Sequence, residues 1–357
     1  MSDKALVWIR DDFRINNNDA LTYATNNHDL VTAVFIFNNN IFDNKREAQK
    51  WWLSKSLENF RSDLKKFNIG LEIIKDDEVN FFSKLKTSNK ISVYWNKVYE
   101  PAEFDKDKKI GKNLSEKKIN FKFFKGNVLN EYNKITKNDG TPFKVFSPFW
   151  RNAEQFYMER LPDKINKVKK CKKIEILFKK QIKSEDILPK SKWYMKFDKY
   201  WAPSESKAHE CLENFVNKNI LNYGINRDFP SIDGTSKLSP YIRNGQINVR
   251  DIWEKCKKLK SKNVSVKKYT NEIGWREFSH SLINYFPQML KGNLRKEFDN
   301  FPWVNNSKFL NAWKRGMTGY PIVDAGMREL YETGWMHNRI RMVVGSFLVK
   351  HLRINWK

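Results

Sequence analysis

The sequence predicts an α/β amino-terminal domain on a parallel sheet, Rossmann-like but without the GxGxxG fingerprint, followed by an all-helical domain. Two observations predict it. Short apolar runs alternate with helix-spaced segments through the first 130 residues, and from about Lys196 onward only helical spacing remains. Strands alternating with helices point to βαβ units and a mostly parallel sheet. The first apolar run is Ala5 to Ile9 and the second Val31 to Phe37. Leu71 to Ile74, Ile91 to Trp95 and Phe121 to Phe124 follow. Between the second and third, Leu53, Leu57, Phe60, Leu64 and Phe67 recur at spacings of four and three, one face of a helix over Glu47–Phe67. Eleven lysines then lie between Lys164 and Lys192 with few aromatics, which reads as a solvated interdomain connection crossing the surface. Beyond it, Leu212, Phe215 and Val216, then Trp275, Phe278 and Leu282, then Ile340, Val343, Val344, Phe347 and Leu348 show helical spacing. The division is 1–130 for the α/β domain, 131–200 for the connection and 201–357 for the helical domain.

Composition narrows the class. The chain has 357 residues, with 67 Lys+Arg against 41 Asp+Glu, a formal net charge of +26. Its 13 Trp and 26 Phe exclude a disordered tail protein. No run reaches ~18 uncharged apolar residues, the length that would span a bilayer, and charges come too early for a secretory signal. Cys171, Cys211 and Cys256 are widely spaced with no CxxC pair, so neither a disulfide scaffold nor a cysteine-based metal site is expected, and a reducing cytoplasm is. Two readings account for the positive charge: a lysine-rich solvated surface, or a polyanion partner whose phosphates would release counterions on binding.

The chemistry-bearing residues exclude several enzymes. None of His28, His209, His280, His337 and His351 sits in a GxSxG or HExxH setting, and no P-loop occurs. Three segments are suggestive. Asp233 to Tyr241 combines an Asp-Gly turn, the hydroxyls of Thr235 and Ser236, the Lys237 ammonium and a Ser239-Pro240 helix start. It reads either as a capped structural turn or as a pyrophosphate cradle. In Asn271 to Phe278, Glu272 and Trp275 share a helix face, and Glu272 can pair with Arg276 at i, i+4, beside a Trp that reads equally as core. In Thr318 to Met342, a helix would put Asn338, Arg341 and Met342 on one face and Arg339 elsewhere. Cationic heads there need anionic partners if buried.

These motifs, in this order, resemble the DNA photolyase/cryptochrome family over nearly the whole chain. Leu6 to Arg14 with Asn18 and Leu21, Gly140 to Phe149, Arg227 to Pro230, Gly234 to Ser239, Trp275 to Phe278 and Thr318 to Met342 carry the likeness. Trp335 to Arg339 with Met342 resembles the branch that repairs cyclobutane pyrimidine dimers, and the likeness is nearest the class I enzymes. The resemblance implies FAD in the helical domain. Tyr223, Thr235, Ser236, Lys237, Leu238 and Ser239 would lie near its phosphates and ribose, and Tyr269, Arg276, Asn338 and Arg341 against the rest. Many relatives have Arg where Lys237 stands, so the charge is kept and the fork lost. Glu272, Trp275, Asn338 and Met342 would line the pocket for an extruded dimer and carry catalysis. Arg227 and Arg339 would hold DNA phosphates, and Trp303 and Trp356 would match the outer and middle members of an electron-transfer chain. A second, antenna chromophore, a folate or a deazaflavin, is implied for the first domain, where Glu103 matches a folate-contacting carboxylate or is a solvated surface residue.

The chain stops at Arg353 to Lys357, inside a motif of that family. The likeness implies a further segment carrying an acidic partner for Arg341, an Asn beside the flavin and the innermost Trp, and on that expectation this polypeptide alone binds FAD weakly. The leading function is light-driven repair of cyclobutane pyrimidine dimers by electron transfer from reduced FAD, a carbon–carbon lyase acting on DNA as a cytoplasmic monomer. The alternatives are a cryptochrome-like blue-light receptor and a non-catalytic basic nucleic-acid-binding module.

Overall fold

The computed structural model describes residues 4–38, 47–86, 90–159, 167–260 and 263–357. Five strands form one parallel sheet: β1 (Lys4–Ile9), β2 (Leu30–Phe37), β3 (Gly70–Lys75), β4 (Ile91–Asn96) and β5 (Phe121–Phe124), in the order β3-β2-β1-β4-β5. All five coincide with the apolar runs of the sequence. Alternation along β1 explains why its run is unbroken. Ala5, Val7 and Ile9 enter one buried cluster, and Leu6 and Trp8 enter another on the opposite face. A sheet covered on both sides needs apolar residues at every position. The helices α1 (Asp19–Asn27) and α2 (Glu47–Lys65) cover the first face through Leu21, Ala24, Leu53, Leu57, Phe60 and Leu64. On the second face lie α3 (Glu78–Ser83) and α4 (Pro101–Glu116), through Phe81, Phe82, Ile110 and Leu114.

The rest is helical: α5 (Phe146–Glu159), α6 (Glu205–Lys218), α7 (Tyr223–Asn226), α8 (Ser239–Arg243), α9 (Val249–Lys260), α10 (Val264–Tyr285), α11 (Ser307–Arg315), α12 (Pro321–Thr333) and α13 (Asn338–Ser346). A large aromatic core joins α5, α6, α9 and α10. There Gly274 of α10 lies under Trp150 of α5, where an added Cβ would come within 2.5 Å of the indole. The Trp150 indole N–H also donates to Asn271 at 3.0 Å. Helix α5, placed by composition within the connection, thus packs with the helical half. Among the described residues, no helix is long and apolar enough to cross a membrane.

Residues 167–192 are not the solvated linker expected from their lysines; residues 160–166 lie outside the described set. The segment is pinned along the sheet. The buried Glu72 carboxylate of β3 accepts from the Leu177 and Phe178 amides at 2.6 and 2.9 Å, and Ile182 N–H donates to the Ile73 carbonyl at 2.9 Å. Cys171 and Ile187 enter the α1–α2 face of the core. Counting lysines missed this because the described lysines are exposed, while the segment is held by backbone amides and by the apolar side chains of Cys171 and Ile187. We expect Glu72→Ala to lower unfolding free energy by about 2 kcal/mol, the penalty for stranding buried donors, measured as a shift in denaturant midpoint. An unchanged midpoint would mean that the strap is not held by this carboxylate.

The two halves are locked at the end of β1. The Glu205 carboxylate of α6 accepts from the Ile15 and Asn16 amides at 2.6 and 2.9 Å, and Arg14 donates to the Gly245 carbonyl at 2.9 Å. Gly245, at φ 66°, has no room for a side chain: a Cβ would meet the Asp11 carbonyl at 1.8 Å.

Candidate functional site

In an open parallel sheet, ligands bind past the strand carboxyl ends where the strand order reverses. Here that point lies between β1 and β4. A cavity of about 540 Å³ opens there, floored by Asp11, Asp12, Asn96 and Tyr99 and roofed by the helical half. One stripe of α10 supplies Tyr269, Glu272, Ile273, Arg276 and His280, spaced three and four apart so that all five face inward. The loop 235–238 and Ser239 supply hydroxyls and the Lys237 ammonium. The turn before α13 supplies Trp335 and Met336, and the first turn of α13 supplies Asn338 and Arg341. Of the residues singled out in the sequence, Tyr223, Thr235, Ser236, Lys237, Leu238, Ser239, Tyr269, Glu272, Arg276, Asn338 and Arg341 converge on this one cavity.

Local details depart from the sequence reading. Ser239 is the first residue of α8 rather than its cap; Leu238 takes the cap position and no side-chain cap bond forms. Lys237 sits at φ 51° and its ammonium lies 2.9 Å from the Asp233 carboxylate. Ser236 Oγ is near both the Leu238 amide and the Tyr269 hydroxyl. Glu272 does not pair with Arg276. It pairs with Arg227 of the preceding loop at 2.6 Å, while Arg276 turns to the buried Glu277 at 3.4 Å. The cause lies in packing: Arg276 points into the interior, where Glu277 also accepts from the Leu129 and Asn130 amides at 3.0 and 3.1 Å.

Six of the expected residues, Trp275, Met342, Arg227, Arg339, Trp303 and Trp356, lie outside the cavity lining. Trp275 is 47% exposed and Met342 58% exposed, so neither is core. Met342 follows the cavity-lining Arg341 but is turned to the exposed surface; its sulfur lies 3.6 Å from the Arg339 guanidinium. Arg339 itself pairs with Asp228 at 2.6 Å. Trp303, half-buried, packs on Phe301 with ring centroids 4.5 Å apart, and Trp356 is 47% exposed. The Val304 amide donates to the Arg353 carbonyl at 2.7 Å, which sets their two segments side by side.

Electrostatics follow burial. Burial pushes the Tyr269 hydroxyl up, and the Tyr223 hydroxyl up to about 12. It also raises Glu277, against the opposing pull of Arg276. His280, half-buried beside Arg276 and Arg243, is pushed down to about 3 by loss of solvent and by the two guanidinium charges. Sequence reading missed His280, Tyr99, Asp11 and Arg243. Two signals could have found them: His280 continues the α10 stripe one turn past Arg276, and Asp11 sits inside the Arg-Asp-Asp-Phe-Arg run.

A second cavity, of about 560 Å³, adjoins the first and is lined by Trp8, Arg10, Phe35, Trp51, Trp52 and Glu103. Glu103 is therefore not a solvated surface residue. It lies 3.5 Å from Arg10 and 2.9 Å from Lys106. Ser239, Arg243, Trp335 and Arg341 line both cavities. Among the described residues no cluster of His, Cys, Asp and Glu could hold a metal ion.

The first cavity fits FAD by its donor set. Three hydroxyls and an ammonium stand at one end, and Arg276, Asn338 and Arg341 offer donors to ring nitrogens and carbonyls at the other. A family model described as DNA photolyase matches residues 5–167, and one described as the FAD binding domain of DNA photolyase matches residues 269–357. A deoxyribodipyrimidine photo-lyase of Agrobacterium fabrum is 35% identical over 99% of this chain and 74% of its own. Cryptochrome-2 of Arabidopsis thaliana is 31% identical over 100% of this chain and 61% of its own. A crystal structure of a class III photolyase from Agrobacterium tumefaciens superposes with a TM-score of 0.92 at 34% identity, covering all of this chain and 74% of that one. The chain belongs to the DNA photolyase family, and its cofactor is FAD. The similar structure is thus of class III, where the sequence likeness was placed nearest class I.

One consequence is a pH dependence. The folded chain resists protonating His280 until about pH 3, whereas the unfolded chain takes that proton near 6.5. Between those values the unfolded state binds more protons, so stability falls as pH drops through the window. His280→Asn should flatten the fall in denaturant midpoint between pH 6.5 and 4; equal slopes in both proteins would place the acid sensitivity elsewhere.

Proposed function

We propose that this protein is a light-driven deoxyribodipyrimidine photo-lyase that repairs cyclobutane pyrimidine dimers in DNA. The observation that carries the reading is the convergence of the Thr235–Ser239 hydroxyls and ammonium with Arg276, Asn338 and Arg341 on one cavity whose mouth bears Glu272. Reduced FAD, when bound, would lend the electron that opens the cyclobutane ring and take it back once the ring has split, so that repair is redox-neutral overall. The chain's own residues do the rest. Thr235, Ser236, Lys237 and Ser239 bind the phosphates, and Tyr223 and Leu238 pack beside them. Tyr269, buried, keeps its proton and holds Ser236 in place. Arg276 and Arg341 orient the ring system with Asn338. A dimer inside the helix stack cannot reach a cavity this deep, so it is extruded, which is least costly for a damaged, poorly stacked pair. Trp275 offers it a stacking face. The Glu272 carboxyl hydrogen-bonds the pyrimidine and Met342 borders the approach. Arg227 and Arg339 take DNA phosphates in exchange for Glu272 and Asp228, their present partners. Trp303 and Trp356 belong to an electron route to the flavin. The second cavity takes an antenna chromophore, a folate or a deazaflavin, with Glu103 as a donor-binding carboxylate. The protein acts as a cytoplasmic monomer, and its domains divide at residues 130 and 200 with α5 serving the helical half.

Repair of a thymine-dimer oligonucleotide under blue light, but not in the dark, is the direct test. Flavin binding with no repair in light would favour the cryptochrome-like receptor instead. Binding that tracks salt equally on damaged and undamaged DNA, with no flavin, would favour a simple nucleic-acid-binding module. Trp275→Ala should weaken binding to damaged DNA by about 1–3 kcal/mol, the worth of one base–aromatic stack, and leave undamaged DNA nearly unaffected. Equal losses on both substrates in a dark gel-shift titration would remove Trp275 from the lesion pocket. Arg339→Ala should weaken both substrates alike and flatten the salt slope by about 0.9, one phosphate contact fewer, read from binding at several salt concentrations.

A further inference from the structure

Trp275 is nearly half exposed, yet its indole is not loose. Phe146, at the start of α5, lies flat against it, with ring centroids 3.8 Å apart and planes within 8°. This is the tightest parallel ring stack among the described residues. Phe146 is in turn anchored from behind. Its ring meets Phe278 at 6.1 Å edge-on, and Phe278 meets Phe149 at 5.1 Å. Phe149 and Phe278 are buried in the main aromatic core, against which Phe146 is partly buried. Trp275 also meets Phe278 edge-on at 6.0 Å. The indole is thus wedged on one face and one edge by rings that reach back into the core, while the remainder of its surface is open.

We infer that Phe146 is a positioning residue for lesion recognition: it buttresses Trp275 from behind, so that the open indole face is held in one plane for an extruded pyrimidine pair. This rests on the photolyase reading and on Trp275 as the stacking platform. The physical need is plain. An exposed Trp on a helix surface samples several rotamers, and stacking a base on it would then carry the entropy of choosing one. A flat aromatic neighbour removes that choice before DNA arrives, so more of the stacking energy appears as affinity. The need is specific to the lesion complex, because undamaged duplex presents no extruded base to stack.

The test is dark binding of Phe146→Ala, Phe146→Tyr and Trp275→Ala proteins to matched oligonucleotides with and without a thymine dimer. Phe146→Ala should lower the damaged-to-undamaged affinity ratio by about three- to tenfold, as expected for loss of one aromatic pair. Phe146→Tyr, which keeps the flat ring, should restore the ratio. The share of tryptophan fluorescence lost on Trp275→Phe, which isolates this indole from the rest of the 13 tryptophans, should show lower anisotropy in the Phe146→Ala background, reporting a freer Trp275, with unchanged helical circular dichroism. A folded Phe146→Ala protein with a wild-type ratio would overturn the inference. So would one with a higher ratio, which would make Phe146 a plug over the platform rather than a support. If Trp275→Ala itself leaves the ratio unchanged, the platform assignment fails, and that failure is distinguishable because it appears without any change at Phe146.

Discussion

A buried polar knot at the carboxyl end of β1 sets where everything else can go. Asp12 accepts from the Arg10 amide at 2.8 Å and from Asn96 at 2.7 Å, and Asn96 also reaches Asn18 at 2.8 Å. Beside it Arg14, 1% exposed, crosses to the Gly245 carbonyl of the helical half. Such groups are costly to bury, and burial does raise Asp12 despite the pull of Arg14. They are tolerated because every arm has a partner, and partners drawn from β1, β4, α1 and the α8–α9 turn permit one docking of the two halves. The cavity floor is that docking surface. A half rotated by a few degrees would break the knot before it closed a pocket.

The strands were legible because the central sheet is covered on both sides, so its strands read as short, mainly apolar runs, unbroken in β1 and interrupted by Thr32, Glu72, Ser92 and Lys122 in the others. Helix α2 was legible for the complementary reason: a single stripe of Leu and Phe on an otherwise polar segment. The strap over 167–192 was not. Its outward lysines dominate the composition, while what holds it is Glu72, a buried carboxylate 105 residues away from Leu177 in the chain, and no local pattern announces a long-range acceptor of backbone amides. At the site, the residues of the Asp233–Ser239 and α10 motifs were singled out through family likeness, and in the structure they line one cavity. Pairing was not. Glu272 chose Arg227 over Arg276 because Arg276 has an interior acceptor in Glu277, a fact of three dimensions. Met342 and Trp275 looked equivalent to their cavity-facing neighbours on spacing alone, and what separates them is the face of each helix that the fold turns to the cavity, with both of these side chains left on the exposed side.

The net charge of +26 also gains a distribution. The cations nearest the cavity mouth are engaged: Arg227 with Glu272, Arg339 with Asp228, Lys237 with Asp233. Pairing tunes them. Burial works against charge on Arg227, and its hydrogen bond to Glu272 together with the pull of Tyr223, Glu272 and Asp228 outweighs that burial; the Arg339 hydrogen bond holds Asp228 low. An incoming phosphodiester would therefore meet arginines already oriented, at the expense of displacing a carboxylate, which favours ligands able to make several such exchanges at once.

Ser239, Arg243, Trp335 and Arg341 of the helical half, with Asp11, Val98 and Glu100 of the first half, form a partition with a chamber on each side. Modular engineering meets a limit here. Grafting another homologue's amino-terminal half, to harvest a different colour of light, would hand that half a partition built in part by the recipient's helices. A transplant that carries only the sheet and its loops would leave the new chamber with a foreign wall, so the unit that can be exchanged is larger than the domain boundary suggests.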